Sequence, residues 1–204
     1  MCAEAPAGVE DAVPRDAELV CEAARFAFRF LAGQGFSTDA YVAISVRDDA
    51  VQDPQSHGAR AFGSFDRNRL HARVGSYRSC CEMSKEGGPF GREMDEAMYR
   101  SFLVHEIAHA IANVNFTVAR PTRAAHEYIA YVTQFASLET AVRDEIVARS
   151  GLTGFDRADQ IKDVYYLMSP ESFAINAWLH YSRAESGASF LREVLDGALA
   201  LSRY

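Results

Sequence analysis

The chain has 204 residues, 49% of them hydrophobic, with a net charge of -7 spread along its length. That is enough for a single domain with a sizeable core. No basic patch with interleaved aromatics points to nucleic acid, and no apolar run approaches the roughly 18 residues of a membrane helix.

Residues 1–15 carry Pro6, Gly8 and Pro14 with little periodicity and are expected to form a flexible N-terminal arm; residues 16–204 read as one domain. From Asp16 to about Ala32, the residues Leu19, Val20, Ala23, Ala24, Phe26, Ala27, Phe30 and Leu31 mark an amphipathic helix. Asp16 is the expected N-cap and Gly33-Gln34-Gly35 the stop. Tyr41 to Val46 is β-branched and aromatic enough for a buried strand. Residues 58–76 predict a hairpin, with Ala61, Gly63 and Phe65 on one face, a turn at Asp66–Arg69, and Leu70, Ala72 and Val74 alternating on the return. Tyr77 to Gly91 reads as a loop.

A helix from Met94 to about Asn113 follows, because Met94, Ala97, Met98, Ser101, Phe102, His105, Ala108, His109 and Ala112 recur at three- and four-residue steps. It contains His105-Glu106-Ile107-Ala108-His109, the pattern H-E-x-x-H. Residues four apart on a helix lie one above the other, so His105 and His109 can offer two imidazole nitrogens to one cation. Glu106 is placed to take a proton from water beside it. Phe102, Leu103, Val104, Ile107, Ala110 and Ile111 make the helix apolar on all sides. It should be buried, and buried histidines and carboxylates need partners. After a break near Arg120-Pro121-Thr122, one long helix is expected over Arg123–Arg149, then helices at Ala158–Met168, Pro170–Ala184 and Ala188–Leu201. One helix, a small antiparallel sheet and then helices alone is an α+β arrangement.

A catalytic zinc takes three protein ligands and leaves one position open. Downstream of His109 the chain offers His126-Glu127-Tyr128-Ile129-Ala130. The H-E-x-x-H helix followed eighteen residues later by Glu127 in an E-x-x-A context resembles the gluzincin zinc metallopeptidases, over roughly residues 58–135. The resemblance implies a zincin-like fold, a zinc ion held by His105, His109 and Glu127, and Glu106 as general base. Three features depart from the pattern. The gap to Glu127 is slightly short, His126 stands where several such families carry asparagine, and His126 is itself an alternative third ligand. Gluzincins also bring a tyrosine or histidine from a later helix to the oxyanion, which makes Tyr181 and His180 candidates. The implied partner is a peptide or protein substrate, bound along an edge of the hairpin. The alternative is a non-catalytic metal-binding module of similar fold acting in protein recognition.

The four cysteines, Cys2, Cys21, Cys80 and Cys81, have no structural-zinc spacing. A disulfide from Cys21 to Cys80 or Cys81 is expected, which suits a secreted or periplasmic protein whose export signal has been removed. Cys2, near the start, is a candidate lipid-anchor site. Free thiols in the cytoplasm are the alternative.

Overall fold

The computed structural model describes residues 1–48, 51–52, 60–85, 87–183 and 187–199. Its architecture is α+β, with one four-stranded sheet and eight α-helices among the described residues. Chain entry already departs from a loose arm. Strand β1 (Ala7–Glu10) pairs in parallel with β2 (Val42–Arg47), and helix α1 (Pro14–Gly33) crosses between them. A four-residue strand holding Gly8 is too short to show a period, and its register is set by β2, 35 residues on. Cys2 is bonded to Cys21 on α1, so the expected pairing of Cys21 with Cys80 or Cys81 is replaced by a shorter loop. Cys80 is buried and Cys81 half-buried, both as free thiols. The sulfur of Cys2, expected as a candidate lipid-anchor site, is committed to this disulfide.

Helix α1 starts two residues earlier than expected, with Pro14 in the first turn, where a missing N–H costs nothing. Asp16 is therefore inside the first turn, buried, and accepts the backbone N–H of Tyr77. Leu19, Val20, Ala23, Ala24, Ala27, Phe28 and Leu31 form its buried stripe.

The expected hairpin is present as β5 (Gly63–Asp66) and β6 (His71–Gly75), antiparallel to each other. Its first residues, 58 and 59, lie outside the described residues. The sheet, expected to be antiparallel, is mixed, because β6 pairs in parallel with β2 and the order is β1-β2-β6-β5. Local alternation cannot reveal a crossover. A separate short ribbon joins β3 (Val51–Gln52) to β4 (Arg60–Ala61).

Where a loop was expected, α2 (Tyr77–Met83) forms, capped by Ser76 Oγ accepting from Ser79 N at 3.2 Å. The motif helix is α3 (Glu96–Asn115), capped by Asp95, whose carboxylate accepts from Met98 N at 2.7 Å. It packs on α1 and α4 and passes under β5 and β6. Helix α4 (Arg123–Ser137) is capped by Thr122 Oγ1, which accepts from Ala125 N at 3.1 Å.

The single helix expected over Arg123–Arg149 is broken. Leu138 is extended (ψ 145°), Ser137 Oγ turns back to donate to Gln134 O at 2.6 Å, and α5 (Thr140–Ser150) runs to a left-handed Gly151. Helices α6 (Asp163–Met168), α7 (Pro170–Arg183) and α8 (Gly187–Leu195) complete the fold. The expected ends of the last two at 184 and 201 lie outside the described residues. No helix among the described residues is long and apolar enough to cross a membrane.

Candidate metal centre

Helix α3 brings His105 and His109 to one face, and α4 lays Glu127 against them. His105 Nε2 and His109 Nε2 are 3.0 Å apart, and Glu127 Oε2 lies 3.4 and 3.8 Å from them. Ligands about 2.0–2.1 Å from a tetrahedral zinc lie about 3.4 Å from one another, so the three atoms have the separation such an ion requires. All three side chains are buried. Among the described residues this is the one cluster of at least three histidine, cysteine or carboxylate groups close enough to share a metal.

What aims His105 is a relay that the sequence did not announce. His105 Nδ1 lies 3.1 Å from Gln134 Oε1, Gln134 Nε2 donates to Ser101 Oγ at 3.2 Å, and Ser101 Oγ donates to Met98 O at 2.7 Å. An amide oxygen can only accept, so Nδ1 carries the proton and Nε2 presents its lone pair to Glu127 and His109. With His105 neutral, three lone-pair atoms face one another. Glu127 Oε2 is indeed buried with no hydrogen-bond partner of its own. Such convergence is unfavourable until a cation fills it.

The charges around the cluster support that reading. Burial, reinforced by the charges of His105, His126 and Arg67 and opposed by Glu127, pushes the pKa of His109 down to about 3. For Glu127, burial favours the neutral acid, but His109, His105 and Arg123 together hold its carboxyl below the ordinary range. His105 is the counterpart. Burial opposes its charge, yet Glu127 and Glu106 outweigh burial and raise its pKa. In the absence of a cation, a proton between His105 and Glu127 relieves part of the repulsion.

Glu106 sits beside the cluster under strand β5. A Cβ on Gly63 would come within 2.5 Å of Glu106 Cγ and 2.7 Å of its Cδ and Oε1, so the strand can lie on the carboxylate only because residue 63 has no side chain. Two residues on, the ring of Phe65 stacks on that of His109 at 6.3 Å. β5 is the outermost strand of its sheet.

The remaining expected residues fall elsewhere. His126 is only 2% exposed; its ring lies 4.5 Å from Phe116 and 6.0 Å from His109, outside the cluster. Between the two neighbours, Glu127 is therefore the one that joins the histidines. His180 and Tyr181, on α7, are not brought to this site. His180 Nδ1 is 2.7 Å from Tyr128 Oη, and Tyr181 Oη donates at 3.1 Å to Oε1 of Gln34, the residue that caps the end of α1. Their polar atoms are engaged between helices, where amphipathic spacing alone had left them available.

The tyrosine that does reach the centre is Tyr131, one turn beyond Glu127. Its ring meets that of His105 edge-on at 4.5 Å. Burial raises its pKa far above the ordinary value, with Glu127, Tyr166, Glu106 and Glu171 adding to the effect. The signal for both missed residues was present in the helical period. Glu127, Tyr131 and Gln134 are spaced four and three apart, a line of polar groups on a helix buried almost all round.

No curated protein and no solved structure matches the chain. Residues 7–204 do match one family, and the chain belongs to it: DUF6639, a family of unknown function.

Proposed function

We propose that this chain is a zinc-dependent peptidase. The observation that carries the reading is the meeting of three potential ligand atoms, from His105, His109 and Glu127, beside Glu106 and beneath an edge strand. The donor set fits zinc: two imidazoles and one carboxylate, with His105 oriented from behind by an amide. Held there, the ion would lower the pKa of water toward about 7 and polarise a carbonyl.

The protein's own groups account for the rest. Glu106 accepts the proton of the attacking water and returns it to the departing amine. Tyr131, whose ring meets that of His105, supplies the hydroxyl that stabilises the oxyanion, the role expected of Tyr181 or His180. β5 offers its outer edge to an extended peptide by strand addition. The Cys2–Cys21 disulfide supports a secreted or periplasmic setting.

The test compares two classes of variant on a peptide mixture, with zinc content measured alongside. Glu106→Gln should retain about one zinc per chain while hydrolysis falls on the order of 10²–10⁴-fold. His105→Ala and Glu127→Ala should lose the metal first. Equal metal loss in all three would defeat the assignment, as would a metal-loaded wild type that cleaves no peptide.

A further inference from the structure

Past the end of β5 the chain stays against α3. Along a strand, alternate residues share a face. Gly63 lies on Glu106, Phe65 on His109, and Arg67 is the next in that series, at the start of the turn. The matching residue of α3 is Asn113, whose Nδ2 donates to Arg67 O at 3.4 Å. That contact holds the turn against the helix, and Asp66 Oδ1 tightens it by accepting from Asn68 N at 3.0 Å. The backbone thus fixes Arg67 at one end of the line along which an edge-bound peptide would lie.

Arg69, two residues on, lies 3.9 Å from Asp66, but among the described residues no carboxylate lies within ion-pair distance of Arg67. The charges that reach it are Arg123, Glu127 and Asp163. Glu127 belongs to the metal cluster, and Asp163 Oδ1 accepts from Ala124 N at 2.6 Å. Arg123 adds a second positive charge, placed over the ring of Tyr166 at 5.8 Å. Burial and Arg123 each disfavour the charge on Arg67, so an incoming anion would relieve it.

Building on the peptidase reading, we propose that Arg67 forms a carboxylate-binding subsite. The preferred substrate is then a peptide with a carboxylate at the end lying over the β5–β6 turn. That carboxylate is either the C-terminal group or the side chain of an aspartate or glutamate.

The test uses metal-loaded wild type, Arg67→Ala and Arg67→Lys, with peptides paired as free acid and C-terminal amide. A second set pairs internal Asp or Glu with Asn or Gln at each position. Both kcat/KM and equilibrium binding to the Glu106→Gln background are measured. A charge-assisted hydrogen bond corresponds to roughly a ten- to hundredfold preference for the acid. Arg67→Ala should bring that ratio close to one, and Arg67→Lys should restore part of it, with zinc content and melting temperature held. Which peptide set shows the preference identifies the source of the carboxylate. A wild type that treats acid and amide alike in both sets overturns the proposal, as does a ratio that survives in Arg67→Ala. Acid-selective binding without hydrolysis would leave the subsite standing and refute the peptidase reading alone.

Discussion

Gly63→Ala is the sharpest probe of the site because the three atoms its Cβ would meet first all belong to Glu106. The added Cβ would lie 2.5 Å from Glu106 Cγ, where ordinary contacts begin at 3.4 Å, so something must yield by about 1 Å. The strand is not free to do so, since Gly63 is paired with Val74 in the ladder with β6. The Glu106 side chain is therefore the part that moves, and its carboxylate leaves the position from which it can take a proton. A displacement of about 1 Å at a reacting group costs on the order of 10²-fold in rate. Overpacking adds about 1–3 kcal/mol of destabilisation, or roughly 2–12 °C in melting temperature for a chain of this size. The assay is kcat/KM on a peptide that the wild type cleaves, with zinc content and melting curve for each variant. Glu106→Gln and the double variant complete a cycle. If Gly63 acts only through Glu106, the double variant is no slower than Glu106→Gln alone. Wild-type kcat/KM in Gly63→Ala, or a loss that follows metal loss, would refute the reasoning.

Two further outcomes follow from particular contacts. Gln134→Leu removes the acceptor of His105 Nδ1 and leaves Ser101 Oγ without its donor. Zinc affinity, measured against a competing chelator, should fall about 10–100-fold, and affinity unchanged from wild type would remove Gln134 from the site. Opening the Cys2–Cys21 bridge by Cys21→Ser releases a loop of sequence separation 19. The expected loss is about 3 kcal/mol, or roughly 6–12 °C in melting temperature. Alkylation of unfolded, unreduced protein should modify two thiols, those of Cys80 and Cys81; four modified cysteines would show that the bridge is absent.

What could be read from the sequence was whatever depends on residues close together along the chain. His105, Glu106 and His109 share one helix, and the period of that helix places them without further knowledge. Glu127 was legible because its own helix is strongly marked, and the choice between it and His126 turned on a rotation of one residue. Gln134 and Tyr131 were not legible, because what matters is which side chain of α3 they meet across the interface. The parallel pairing of β2 with β6 escaped for the same reason, as no turn joins them directly. The break at Leu138 was hidden by apolar residues that continue at helical spacing on both sides of it. Cys2 sits among residues without periodicity, and only the docking of β1 on β2 brings it to Cys21.

Helix α3 turns no face to solvent over its central turns, from Leu103 to Ala112. The proposed ion ligands and general base thus occupy positions that packing alone would give to leucine or methionine. Polar groups held in such a place subtract from the free energy of folding. With no ion bound, the chain carries that subtraction in full, and mutual repulsion among the buried polar atoms adds to it. An ion that binds only the folded form returns RT ln(1 + [M]/Kd), about 4 kcal/mol at a thousand times Kd. That gain is a large fraction of the stability of an ordinary domain. The free-ion concentration around such a protein would then govern its lifetime against unfolding and proteolysis, quite apart from any turnover.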